Sequence, residues 1–225
     1  DRYGSPDVLE LRDVPTPVPA SNEVLIRVHA TTVSAADWRA RSLAMPPGFG
    51  PMARLVFGVT RPRQPILGTE LAGVIERIGS NVTRFRIGDA VFAYTGARMG
   101  AHAEYVCIRE DGHLALKPPN LTFEQAAALC FGGVVALGFF RRGRLTRGDR
   151  LLVNGASGAI GTAAVQIGVH MGAVVTGVCS GANAGLVRSL GASDVIDYTR
   201  EDFTANDRSY DVIMDTAGTA GYARR

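Results

Sequence analysis

The stretch that most constrains the fold is "LLVNGASGAIGTAAVQIGVHMGAVVTGVC", residues 151–179. A short apolar run, Leu151 to Val153, enters a turn of small residues, Asn154-Gly155-Ala156-Ser157-Gly158-Ala159-Ile160-Gly161. With Ala156 in the first position, the turn fits [G/A]-x-G-x-x-G. The first small residue permits a tight turn, Gly158 lets backbone approach a pyrophosphate, and Gly161 lets helix and strand pack closely. Free N–H groups at the start of the following helix face the negative charge. A second apolar run arrives about twenty residues later, the spacing of a strand–turn–helix–strand unit. It is this setting, more than the glycines alone, that points to dinucleotide binding.

Strand and helix signals alternate around this unit. Strands are predicted near 150–154, 173–178, 194–197 and 210–215, and helices near 158–171 and 182–190, which describes a parallel sheet covered by helices. Thr122 and Gln125 match a capping box ahead of an Ala- and Leu-rich helix. The stiff connector Lys117-Pro118-Pro119 divides the chain into a first domain, 1–120, and a second, 121–225. The first domain reads as β-rich: "EVLIRVHATTVS", "LAGVIERIGS", "DAVFAYTG" and "AHAEYVCI" are short β-branched or aromatic runs bounded by turn residues. That pattern suggests a partly closed barrel or rolled sheet. Within it, "LAMPPGFGPMARLVFGVTRPRQPILG", rich in Pro and Gly, reads as a long loop over a site.

Composition narrows the class. Hydrophobic residues make up 46% and charged residues 20% of 225, ordinary for a globular protein with a sizeable core. No run is expected to reach the roughly 18 to 20 apolar residues of a membrane span, and no basic-then-apolar signal segment opens the sequence. Cys107, Cys130 and Cys179 are far apart and form no CxxC pair, so each reads as a small buried apolar residue in a reducing, cytoplasmic setting. The net charge of +3 is carried almost wholly by arginine, because Lys117 is the single lysine. The densest basic stretch, "RRGRLTRGDR" at 141–150, has no interleaved aromatic residues for base stacking and reads as a solvated helix end, so nucleic acid is not the expected partner.

The end of the second Rossmann-type strand selects the dinucleotide. An Asp or Glu there would bind the adenosine ribose and suit NAD. The sequence instead reads "VTGVCSGANAGLVRSLGA", with no carboxylate before Asp194. Ser180 and Asn183 are neutral donors that tolerate a 2′-phosphate, which favours NADPH, with NADH as the alternative.

The motifs "YGSPDVLELRDVPTP", "NEVLIRVHATTVSAADWR", "ILGTELAGVIERIGSNVTRFRIGDAVFAY", "AHAEYV", "LVNGASGAIGTAAVQIG" and "LGASDVIDYTREDF" occur in this order. Together they resemble the medium-chain dehydrogenase/reductase superfamily, in its zinc-independent quinone oxidoreductase-like branch, over essentially the whole chain. The resemblance implies a GroES-like N-terminal domain, a Rossmann domain cut short after its fourth strand, and NADPH in the cleft between them. It also implies that the sequence is a piece of a longer protein; a homodimer is one expectation for that full-length protein. Relatives that use zinc carry Cys and His where this chain has Ser34 and Thr69, and their third ligand falls at or beside Phe131, one residue from Cys130. The resemblance therefore implies a metal-free site, and hydride transfer to a conjugated carbonyl such as a quinone or enone.

Resemblance makes Ser34, Asp37, Trp38 and Thr69 candidates for the substrate side, with no general acid or base among them. Arg39 is a candidate contact to a cofactor phosphate. Further cofactor contacts are implied at Ala156, Ser157, Gly158, Ala159, Ile160 and Gly161 for the pyrophosphate. Ser180, Gly181, Ala182, Asn183 and Tyr198 are implied around the adenosine phosphate, and Thr216 and Ala217 beyond the fourth strand. Ala182 stands where close relatives often carry Arg or Lys. A short-chain dehydrogenase is excluded, because Tyr-x-x-x-Lys is missing: His113 lies four residues before Lys117. Two alternatives stay open, a zinc-type alcohol dehydrogenase relative and a non-catalytic NADPH- or RNA-binding protein on the same scaffold.

Overall fold

Val24, Leu25 and Ile26 are buried in succession on strand β1 (Glu23–Thr31), an interior strand paired on both edges. It lies in an antiparallel sheet with β2 (Glu70–Ile78), β3 (Ala90–Tyr94), β4 (Tyr105–Arg109) and β5 (Leu114–Leu116), in the order β4-β1-β2-β3-β5. Ile26, Leu71, Ile75, Phe85, Val91 and Ile108 fill the core on one side of this sheet. The computed structural model describes residues 2–45, 48–205 and 207–218, which fall into two compact units, Asp1–Cys130 and Phe131–Arg225. The fold is mixed α/β, as the spacing of strand and helix signals indicates.

Two helices interrupt the first unit. Helix α1 (Ala35–Ser42) follows β1, and α2 (Gly50–Phe57) lies inside the segment expected to be a loop. The sequence reading of 43–68 needs correction here, and the reason is local. Pro51 occupies the first turn of α2, where its missing N–H costs nothing, and Gly58 ends the helix with φ +124. A Cβ at Gly58 would sit 2.0 Å from the Arg61 carbonyl oxygen, so the stop is specific to glycine. The segment's Pro and Gly frame a helix.

Helix α3 (Phe123–Gly143) starts as its capping box requires. The Thr122 backbone N–H donates to the Gln125 side chain at 3.0 Å, and the Gln125 backbone N–H donates to the Thr122 hydroxyl at 3.2 Å. Lys117 fixes the connector before it, donating to the carbonyls of Pro118 and Leu121 and lying 5.3 Å from the Phe123 ring centroid. α3 overturns the expectation that no run is long enough for a membrane span. It has 21 residues and a mean hydropathy of 1.6 over its most apolar 18, so by length and composition it qualifies. Ala126 and Ala127 pack with Ala72, and Ala136 and Phe140 are fully buried in the second unit's core. Its hydropathy comes from Phe, Val, Leu and Ala together rather than from an uninterrupted Leu/Ile run.

The second unit is a four-stranded parallel sheet of β6 (Arg150–Asn154), β7 (Val174–Cys179), β8 (Asp194–Asp197) and β9 (Val212–Asp215), ordered β8-β7-β6-β9. Helix α4 (Ala159–His170) joins β6 to β7, and α5 (Ala184–Ser189) joins β7 to β8. The strands match the predicted ranges to within two residues. The chain runs outward from β6 through β7 to β8, then returns to place β9 on β6's other edge. That reversal makes the carboxyl ends of β6 and β9 a topological switch point, the position where open α/β sheets bind ligands.

Candidate functional site

The glycine-rich turn sits at this switch point. Gly158 caps α4 with φ −79 and ψ 171, and no side-chain cap hydrogen bond is made there. A Cβ built at Gly158 meets no atom nearer than the Gly155 carbonyl oxygen, 3.4 Å away. The space beside this backbone is therefore open, as an approaching phosphate needs. Gly161 differs: its Cβ would lie 2.1 Å from the Gly155 oxygen and 2.7 Å from the Ala156 Cα. Ala156 itself is fully buried. Gly161 is thus where helix and turn touch, and Gly158 is where the turn faces outward, with Ala159 exposed beside it and Ile160 packed against the core.

Side chains from the neighbouring strands converge on the turn. After β7, Ser180 leads into a 3-10 turn, Gly181–Asn183, in which Gly181, Ala182 and Asn183 are all exposed. The Asn183 amide donates to the hydroxyls of Ser157 at 3.3 Å and Ser180 at 3.2 Å, joining the two loops. On the other edge, Thr216 donates its hydroxyl to the Asn154 carbonyl at 2.7 Å. The buried Asn154 amide donates to Asp215 at 2.8 Å, and Asp215 also accepts the N–H groups of Ala217 and Gly218. Tyr198 is exposed, with its backbone N–H on the Cys179 carbonyl. Every residue singled out in the second unit therefore lies on this turn or on the loops flanking it.

Three charged residues there escaped the sequence reading. Asp197 ends β8 and pairs with Cys179 across the parallel ladder, which sets its carboxylate against the loop after β7. A Cβ at Gly181 would lie 2.5 Å from the Asp197 Oδ2. Hydrogen bonds from the Thr199 hydroxyl and N–H, with a further one from the Gly181 N–H, hold this carboxyl below its ordinary range. Arg200 favours its charged form, and Arg188 acts on the neighbouring Cys179 thiol. The signal was available: aligning the strands predicted at 173–178 and 194–197 puts residue 197 beside the end of the second strand. Read along the chain, the loop lacks both an acid and a base; read across the sheet, it has both nearby.

In the first unit, Ser34 and Asp37 form the capping box of α1. The Ser34 N–H and hydroxyl both donate to Asp37 Oδ2, at 2.8 and 2.9 Å, and the Ser34 Oγ accepts from the Ala36 N–H. The other Asp37 oxygen accepts the Gly68 N–H at 2.9 Å. Asp37 is only 3% exposed, so this carboxylate fastens the start of α1 to the chain entering β2, beside buried Thr69. Trp38 and Arg39, on α1, are exposed. Sequence reasoning passed over Glu70, also buried, which accepts from the Thr32 hydroxyl at 2.6 Å, and His102, whose Nε2 lies 2.8 Å from the Thr32 carbonyl oxygen. Burial raises the Tyr94 pKa, and the charges of Glu70 and Asp37 raise it further.

Among the described residues, no group of three or more His, Cys, Asp or Glu side chains could hold a metal ion. Cys130 is buried, with its thiol donating to the Ala93 carbonyl, and burial pushes it up to about 12. Cys107 is pushed up to about 11 by the same cause, and burial raises Cys179 as well. At pH 7 a thiol with a pKa of about 12 is ionised in only about one molecule in a hundred thousand. Maleimide labelling followed by mass spectrometry is accordingly expected to be slow at all three under native conditions, and fast in denaturant. Rapid native labelling of Cys130 would contradict this environment.

The alcohol dehydrogenase GroES-like domain family matches residues 20–119. The quinone oxidoreductase of Coxiella burnetii is similar in structure, with a TM-score of 0.85 and 31% identity over 97% of this chain and 67% of that one. The Escherichia coli quinone oxidoreductase complexed with NADPH is similar at a TM-score of 0.75 and 29% identity, over 90% of this chain and 58% of that one. Among curated proteins, the mitochondrial NAD(P)H oxidoreductase RTN4IP1 of Bos taurus is 33% identical, over 97% of this chain and 58% of its own length. A GroES-like sheet followed by a parallel sheet with a glycine turn at its switch point is the architecture shared with these proteins. The chain belongs to the medium-chain dehydrogenase/reductase superfamily, with quinone oxidoreductases among its relatives. It spans about 58% of the length of the curated relatives it matches first.

Proposed function

We propose that the protein is a zinc-independent, NADPH-dependent reductase of a quinone, an enone or a related conjugated carbonyl. The observation that carries this reading is the open backbone at Gly158, beside Ser157, Ser180 and Asn183, on a scaffold shared with quinone oxidoreductases. The residues fit a dinucleotide. First-turn N–H groups of α4 and the hydroxyl of Ser157 would receive the pyrophosphate, while Ser180, Asn183, Tyr198 and the nearby Arg188 and Arg200 would receive a 2′-phosphate. When bound, the nicotinamide supplies the hydride. The chain's own contribution is to bind and orient, with Asp37 positioning the backbone of Gly68 and Thr69 on the proposed substrate side. Independence from zinc is supported by Ser34 and Thr69 standing at the positions where zinc-using relatives carry Cys and His. A cytoplasmic location is supported by three thiols with no disulfide.

The test is NADPH consumption by the full-length protein with a panel of quinones and enones, alongside metal analysis. Stoichiometric zinc that is needed for turnover would move the protein to the alcohol dehydrogenase reading. Tight NADPH binding with no turnover on any acceptor would favour the non-catalytic one.

Asp197 sets the expected cofactor balance. Its carboxylate abuts the loop that would hold the adenosine phosphate, so it opposes the 2′-phosphate that the two arginines attract. Two unit charges at about 4 Å interact by about 1 kcal/mol in a water-like dielectric. Asp197→Asn is therefore expected to raise the NADPH-to-NADH affinity ratio about five-fold, measured by fluorescence titration with both cofactors. A ratio that stays the same or falls would remove Asp197 from cofactor selection.

A further inference from the structure

From Trp38 to Thr69 the sequence holds five arginines and no Asp, Glu or Lys. Against a chain total of +3, this one segment carries +5 and leaves all other residues at a net −2. The same segment contains α2, which buries only Ala53. Met52, Leu55 and Val56 follow one another at helical spacing, Val59 lies just past the Gly58 stop, and each is 48 to 66% exposed, with Phe49 exposed at the helix entrance. Apolar side chains thus form a stripe in water, surrounded by cations.

The geometry gathers Arg41, Arg54, Arg61 and Arg63. The Tyr3 hydroxyl donates to the Gly58 carbonyl at the end of α2, and the neighbouring Gly4 exchanges hydrogen bonds with Arg41 at the end of α1. Arg54 and Arg63 both act electrostatically on Tyr3. Arg54 reaches the Val59 carbonyl at 2.9 Å, and Arg61 and Arg63 are exposed just past the helix. Among the described residues, none of the five arginines is held in an ion pair.

We infer that α2 and its arginines form a docking surface for an anionic lipid bilayer. The helix lies in the plane of the interface, with Met52, Leu55, Val56 and Val59 at the acyl boundary and the guanidinium groups among the headgroup phosphates. Charge complementarity selects this occupant. A second copy docking through the same patch would set these arginines against their own counterparts, because a two-fold interface pairs a surface with itself. RNA would engage the guanidinium groups but gain nothing from Met52, Leu55, Val56 and Val59, since Phe49 is the one aromatic residue of the stripe. An anionic bilayer satisfies both halves of the surface at once. This inference is independent of the proposed reductase activity.

The experiment is co-sedimentation of the full-length protein with phosphatidylcholine vesicles, with and without phosphatidylserine. Binding is expected to the phosphatidylserine vesicles only, and to weaken with added salt. Arg61→Glu and Arg63→Glu should each reduce it at least five-fold, since one arginine near an anionic surface is worth about that factor. Leu55→Ser should reduce it with all charges kept. NADPH affinity, read in the same samples, should stay unchanged in all three variants, which separates loss of docking from loss of folding. Equal sedimentation with both vesicle types, or charge variants that bind normally, would overturn the inference. So would strong hydrogen-exchange protection of residues 49–59 without vesicles, which would show the stripe covered by another part of the protein or a second copy. Capture of single-stranded RNA with no vesicle binding would overturn it as well.

Discussion

Replacing Gly161 with alanine is expected to destabilise the full-length protein by at least about 2 kcal/mol, a fall in Tm of roughly 4–8 °C for a domain of this size. Helix propensity alone predicts the opposite sign, because alanine in a helix is favoured over glycine by about 1 kcal/mol. The reversal comes from packing. The new Cβ would lie 2.1 Å from the Gly155 carbonyl oxygen and 2.7 Å from the Ala156 Cα, and both are backbone atoms. Backbone cannot swing aside as a side chain can. Ala156, just behind the contact, is fully buried and fixed by its N–H to the Val178 carbonyl. To admit one methyl group, α4 must part from the turn. The control is Gly138→Ala on α3, where nothing lies within 4 Å of the added atom. That variant should gain up to about 1 kcal/mol. Calorimetry of both variants beside the parent decides the matter. A Gly161→Ala protein that melts with the parent would mean the helix and turn are not packed as closely as the structure has them.

The second unit was legible in the sequence because its elements announce themselves locally. Leu151–Val153 is a buried strand bounded by a glycine turn, and the alternation that follows admits little besides a parallel sheet. α2 is less legible because Pro and Gly also mark loops, yet Pro51 inside the start and Gly58 past the end are the ordinary frame of a helix. α1 carries a weaker signal, because Ser34 and Asp37 also suit the substrate side of a site. Their box is a Ser followed three residues later by Asp, where the usual pattern has Glu or Gln. The site divides along the same line. Contacts along the chain, from Ala156 to Gly161, could be read directly. Contacts made across the sheet, such as Asp197 beside Gly181 or Asp215 under Asn154, depend on register, which a single strand's pattern does not reveal.

Gly158→Val is expected to weaken NADPH binding by at least about 100-fold, equivalent to about 2.7 kcal/mol, while leaving the fold intact. Both halves of this expectation come from the same position. The Gly158 φ and ψ, −79 and 171, lie in the extended region that a β-branched residue adopts readily. Its Cβ would find its nearest neighbour at 3.4 Å, an ordinary contact, so the protein itself has little reason to resist. The cost to stability is that of an apolar residue at a helix N-cap, about 1 kcal/mol. A phosphate has every reason to resist. A branched side chain would fill the space through which the anion reaches the first N–H groups of α4, and those charge-assisted hydrogen bonds are the strong ones. Gly161→Ala and Gly158→Val thus make an opposed pair within one turn, the first losing stability and the second losing the cofactor. Equilibrium titration of NADPH against the full-length Gly158→Val protein, with thermal unfolding of the same sample, reads both quantities. Unchanged affinity in a folded variant would place the pyrophosphate elsewhere and remove the glycine turn from the cofactor site.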